Sequence, residues 1–188
     1  MRIMYIMLNG IAMFLTVVLM TLPSTSTADD SALLLKSQAL TAEYATQLKA
    51  ALQEAMSTGG PVAAISVCKD FAPAIQSELA RQSGANVRRT SLRFRNPGNA
   101  PDDWETEILE TFASSEQKEV ITMTASGATR YMKAIPTGAV CLSCHGEELA
   151  PEVAESLDTA YPHDRARGYS LGQIRGAFSI TWPAPASQ

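Results

Sequence analysis

Histidine and cysteine are the scarce reactive residues of this 188-residue chain, which has two of the first and three of the second. An odd cysteine count rules out a framework in which every thiol pairs within the chain, so at least one cysteine serves another purpose. Two histidines leave little material for acid/base catalysis. A basic excess is missing as well: 15 Lys and Arg stand against 19 Asp and Glu, a formal net charge of −4. Nucleic-acid binding is dominated by neutralising phosphates, so that class of partner is excluded. After Leu22 no apolar run approaches the roughly 20 residues that span a bilayer. There is no internal repeat and, outside the N-terminal segment, no low-complexity tract.

What the N-terminus does have is the layout of a secretory signal peptide. Arg2 is followed by an apolar run to Leu22, broken only by Asn9 and Gly10, then by Pro23 and small residues ending at Ala28. This predicts cleavage after Ala28 and a periplasmic mature domain of residues 29–188, free of the membrane once cut; left uncut, the same run is long enough to act as an anchor. About 160 residues is one domain's worth, enough for a substantial core.

The remaining pattern alternates between two periods. Residues 30–57 are rich in Ala, Leu, Gln, Lys and Glu with apolar positions every three or four, which predicts a long helix ended by Gly59-Gly60. Pro61 opens a second helix stopped at Gly84, and Pro73 inside it is expected to kink or split it about one turn after Cys68. "RRTSLRFRNP" changes the period to two, a half-buried strand with Leu92 and Phe94 on one face and Ser91, Arg93 and Arg95 on the other. A third helix begins near Asp102, with Trp104, Ile108 and Phe112 four apart. "EVITMTASGATRYMKAIP" is a hairpin about Ser126-Gly127, and "GQIRGAFSITWP" alternates as a last strand with Ile174, Gly176, Phe178, Ile180 and Trp182 on one face. This order predicts an α+β domain, an antiparallel sheet with helices packed to one side.

"AVCLSCHGEE", residues 139–148, holds two of the three cysteines three positions apart with a histidine directly after. A c-type haem accepts thioether bonds from two cysteines at that spacing, and the adjacent histidine is then placed to ligate the iron. Cys141 and Cys144 are the candidate anchors and His145 the candidate axial ligand, which implies one covalently attached haem c. Three other uses compete. A tetrahedral zinc site could draw on Cys68, Cys141, Cys144 and His145. A redox dithiol belongs beside a βαβ unit, and here a hairpin precedes the motif. A plain disulfide between Cys141 and Cys144 needs no cofactor.

For the second axial position the residues offer His163, Met123, Met132 and Cys68. Strand methionines are ordinarily core filler, His163 sits among turn-forming residues, and Cys68 is either a small buried hydrophobe or a protected thiol. Arg88, Arg89, Arg93 and Arg95 form the densest basic cluster, either a solvated strand face or the source of partners for haem propionates.

Taken together, "VCKDFAP", "VRRTSLRFRNPGNAPDDWE", "IPTGAVCLSCHG" and "YPHDRARGYSLGQIRGAFSI" closely resemble an exported single-haem c-type cytochrome family with a PAS-like fold, found alone or fused to sensor kinases and receptors. The resemblance covers most of residues 32–182. It implies that Cys68 and His145 are the axial ligands, an unusual thiolate/histidine pair, and that the domain is a redox or small-gas sensor, with a diatomic gas as a candidate ligand. No kinase or receptor segment follows Gln188, so a signal is expected to pass to a separate protein partner. The alternative is a soluble electron-transfer cytochrome, which needs an exposed haem edge and little change between redox states. A catalytic haem fits least, so the chain is not expected to be an enzyme.

Overall fold

A computed structural model describes residues 26–185, so the expected signal sequence lies almost wholly outside the described residues. Helix α1 (Ser26–Ser66) begins just before the expected cleavage point and buries Ser37, Thr41, Tyr44 and Leu48, an i, i+4, i+7, i+11 stripe. The two buried hydroxyls are satisfied within the helix, Ser37 donating to Leu33 O and Thr41 to Ser37 O, both at 2.8 Å. Gly60, at φ 67° and ψ −164°, breaks α1 where the glycine pair predicts it, and Pro61 restarts it.

Val67–Phe71 form a π-helical turn leading into α2 (Ala72–Ser83). Pro73 has no N–H to give to Lys69, and its ring crowds the carbonyl four residues back; a turn widened by one residue relieves both problems. The expected kink is therefore a single wide turn, and it carries Cys68 itself rather than lying a turn beyond it. Tyr44 donates its hydroxyl to Ala72 O at 3.0 Å, tying the end of this turn to α1.

Strand β1 (Asn86–Thr90) comes earlier than the period-two run suggests. Beyond Thr90 the chain leaves the sheet: Ser91 N–H bonds Asn99 O, and Ser91 Oγ donates to Arg175 O at 2.6 Å. Leu92 is exposed and Arg95 buried, the reverse of the expected faces, because Arg95 has buried oxygen partners to reach. Helix α3 (Asp103–Ser114) starts at a capping box of Asp102 and Glu105, as its acidic first turn predicts. β2 (Glu119–Met123) and β3 (Thr129–Pro136) form the hairpin, with Gly127 at φ 83° in its turn. Then come the short α4 (Leu142–His145), α5 (Pro151–Ala160) and β4 (Ile174–Trp182).

The sheet is antiparallel throughout, in the order β1-β4-β3-β2. One face packs Val87, Tyr131, Phe178 and Ile180 against Tyr44 and Leu48 of α1 and Ile75 and Leu79 of α2. The other packs Met132 and Ala177 against Leu109 and Phe112 of α3. The fold is thus α+β, but helices cover both faces instead of one, and Gly176 to Ile180 are all buried. Helix α5 was not anticipated; Pro151 in its first turn and Val153, Leu157 and Tyr161 four apart are its signal. Between β3 and β4 the register slips, Ile135 facing Gly176 while Pro136 faces Ile174, so Arg175 is the extra residue of a β-bulge. No helix among the described residues is long and apolar enough to cross a membrane.

Candidate functional site

At the end of the sheet covered by α1 and α2, a small, half-enclosed cleft of about 60 Å³ is lined by Cys68 from the π-turn, Arg89 from β1, His145 from α4 and Arg175 from the bulge. A larger, shallower groove of about 520 Å³ between α1 and residues 66–74 includes Glu54, Asp70 and Phe71 but no histidine or cysteine. The chemistry lies in the smaller one.

His145 Nδ1 is 2.7 Å from Ala166 O, which makes Nδ1 the protonated nitrogen and puts the lone pair on Nε2. Nε2 is 3.5 Å from Arg175 Nη1. Burial, then the positive charges of Arg175 and Arg95, hold the imidazolium form well below its usual pKa, against the smaller pull of the Ala166 hydrogen bond. The ring is a neutral imidazole, the form that binds metals. Tyr169 meets it edge-on at 6.3 Å between ring centroids, and the Arg93 guanidinium lies 3.7 Å from the Tyr169 centroid.

The acceptor of that hydrogen bond is itself locked. Arg95 Nε bonds Asp164 Oδ1 at 3.0 Å, while its Nη2 donates to Cys144 O at 2.6 Å and Ala166 O at 3.3 Å. Asp164 Oδ1 also accepts the Ala166 N–H at 2.9 Å, and Oδ2 accepts Arg167 Nε at 2.8 Å. One buried ion pair thereby joins the "CLSCH" loop to residues 164–166. Backbone bonds from Gly168 N to Gly146 O and Tyr169 N to His145 O continue the join.

All three cysteines are free thiols, half-buried. Cys144 packs with Ile65, Val153, Leu157 and Tyr161, and its sulfur lies 4.0 Å from Pro61 O. Burial pushes its pKa up, Arg95 offsets part of the rise, and Cys68 and Cys141 add to it. Tyr161, buried in the same cleft, has its phenol pushed up to about 12, first by burial and then by the neighbouring Cys68.

Of the four candidates for the second ligand, Cys68 alone lines the cleft with His145. Met132 is fully buried on the opposite sheet face beneath α3, Met123 is 56% exposed at the end of the edge strand β2, and His163 is exposed. Among the described residues no three His, Cys, Asp or Glu side chains converge to hold a metal ion, so the tetrahedral set needed for the zinc reading does not assemble.

The basic cluster divides by strand alternation. Arg88 crosses to the α3 face, 3.3 Å from Glu105, whereas Arg89 faces the cleft. Arg93 and Arg95 also reach the cleft, but they bond the protein's own oxygens. The sequence reading missed Arg175: an arginine at a strand start carries no motif, and only the bulge aims it at His145.

The chain matches the family model described as Tll0287, of the Tll0287-like family, over residues 23–183. Among solved structures it is similar to the crystal structure of the cyanobacterial heme-protein Tll0287, with a TM-score of 0.65 and 22% sequence identity over 87% of this chain and 100% of that one. At that identity the likeness is one of fold. No curated protein matches. With the family model spanning nearly its whole length, the chain belongs to the Tll0287-like family.

Proposed function

We propose that this chain is an exported mono-haem c-type cytochrome that senses redox state or a small gas, with the porphyrin held by Cys141 and Cys144 and the iron ligated by His145 and Cys68. The observation that carries the reading is the cleft itself, which is lined by both Cys68 and a His145 whose Nε2 carries the lone pair because Nδ1 is bonded to Ala166 O.

The residues present fit the group. A soft thiol and a neutral imidazole are the donor types that haem iron takes. Cys144 packs in the cluster that includes Tyr161 of the cleft lining, directly before His145 in the chain. Two arginines in the cleft carry buried Nε atoms with no partner among the described residues, which suits a ligand bearing carboxylates. A haem bound there would supply one-electron chemistry at its iron.

The chain's own contribution is to fix the ligands and link one of them to the scaffold. Ala166 orients the histidine. Cys68 rides on the wide turn between α1 and α2, pinned to α1 by Tyr44, so a change in bonding at the sulfur acts on two helices at once. That linkage favours sensing over plain electron transfer, with a separate protein as the receiver of the signal. The likeness to a heme-protein supports the reading. The test is an absorption spectrum of the exported, purified protein in both redox states. Haem bands that report a ligand change on reduction are the expected result; colourless protein, or bands from unchanged ligation, count against haem binding and against sensing respectively.

A further inference from the structure

The cleft is lined by four arginines and by no aspartate or glutamate. An arginine cannot shed its charge, so each buried one needs acceptors. Arg93 donates to Arg167 O and Gly168 O, and Arg95 to Asp164, Cys144 O and Ala166 O. Arg89 and Arg175 are different: the Nε of each is buried with no partner among the described residues. Arg89 lies against the Tyr44 ring, 5.7 Å from its centroid, and its guanidinium also bonds the Tyr44 side chain, which still leaves its Nε without a partner among the described residues. The Arg175 side chain makes one hydrogen-bond contact among the described residues, the long 3.5 Å approach to His145 Nε2. If that nitrogen gives its lone pair to iron, Arg175 loses even this acceptor.

We propose that Arg89 and Arg175 are a two-carboxylate anchor, each receiving one propionate of the porphyrin. The assignment rests on the haem reading of the cleft and goes beyond it by naming which two arginines turn to the ligand. Two like charges in one cleft oppose each other until anions lie beside them, and a porphyrin with two propionates matches their number. A free Nε next to the Nη groups offers the fork that carboxylates bind side-on. Arg88, one residue from Arg89, is held on the other sheet face by Glu105 and by the carbonyls of Gly98 and Ala100, so it takes no part.

The experiment uses the haem-loaded protein with Arg89→Gln, Arg175→Gln and, as a control, Arg88→Gln. It records the resonance Raman band of propionate bending and the dependence of midpoint potential on pH. In each of the first two variants the band is expected to shift. The pH-dependent part of the potential should also move to higher pH, because the cation that kept a propionate ionised is gone; Arg88→Gln changes neither. Should a glutamine variant fail to take up haem, the lysine replacement keeps the charge but not the fork, and it is expected to restore haem while leaving the band shifted. A wild-type band and pH profile in haem-loaded Arg89 and Arg175 variants would overturn the anchor alone. A wild-type protein negative in the pyridine haemochrome assay would overturn the haem reading and the anchor with it.

Discussion

His145 and Ala166 share a 2.7 Å hydrogen bond from ring Nδ1 to backbone oxygen, and that oxygen also receives the Arg95 guanidinium at 3.3 Å. A carbonyl engaged by a cation is a weaker acceptor, so Arg95 limits how much electron density the imidazole gains from its hydrogen bond. The loop that presents His145 is therefore set by residues 50 positions upstream and 20 downstream of it in the chain.

The Arg95–Asp164 pair is the point at which to test that architecture. Both side chains are nearly inaccessible, at 9% and 3% exposure. Burial pushes the Asp164 carboxyl up, but hydrogen bonds from Arg167, the Ala166 N–H and Arg95 together outweigh it, so its pKa lies below the usual value. A depressed carboxylate pKa contributes stability that is present above the unfolded pKa of about 3.9 and is lost as pH falls through the folded value. Asp164→Asn leaves a buried guanidinium uncompensated and is expected to cost about 3–5 kcal/mol at neutral pH. It should also flatten the acid limb of the stability profile. Urea unfolding between neutral pH and pH 3 measures both; a loss below about 0.5 kcal/mol with an unchanged acid limb would contradict the clamp.

Much of this was legible in the sequence, and the failures have physical causes. Gly59-Gly60, the Asp102 cap and the Ser126-Gly127 turn are local signals, and the structure keeps each of them. The coverage of both sheet faces was not legible, because the alternation Ile174, Gly176, Phe178 looks the same whether its partner face meets water or α3. Arg93 and Arg95 read as the polar side of a strand, yet they leave the sheet for buried carbonyls and a carboxylate supplied by residues 164–168. Cys141, Cys144 and His145 announce themselves by spacing. Arg175 does not, since its role depends on a register slip that no short motif records.

Attachment has a direct readout. If Cys141 and Cys144 hold the haem by thioether bonds, as proposed, colour should survive acidic acetone and denaturing electrophoresis. Replacing both cysteines with serine should release it to the solvent phase. Colour extracted from the wild-type protein would show a non-covalent haem; zinc bound stoichiometrically to colourless protein would revive the tetrahedral reading.

Export is tested at the N-terminus. Cleavage after Ala28 predicts a mature protein that begins at Asp29 and fractionates with the periplasm. Mass spectrometry of the purified chain decides the point, and an intact Met1 terminus recovered with membranes would show an uncut anchor in place of a signal peptide.

Cys68 carries the sharpest prediction, because its proposed role depends on charge. A Cys68 thiolate on the proposed haem iron would bring a full negative charge to the metal, which would stabilise the ferric over the ferrous state and keep the potential low, whereas a neutral ligand would let it rise. If the chain is exported as proposed, coordination would also keep this thiol occupied where an unprotected one is open to oxidation. Cys68→Ser removes the thiolate while the turn holding residue 68 keeps its tie to α1 through Tyr44 and Ala72. The variant should retain covalent haem, lose the low-spin thiolate signature of the ferric spectrum and show a higher midpoint potential. A variant that keeps the wild-type ferric spectrum and potential would reduce Cys68 to a half-buried thiol. The second ligand would then have to be sought at exposed His163 or Met123, a search that demands a rearrangement of the chain around His145 that the cleft, with Cys68 already in its wall, does not require.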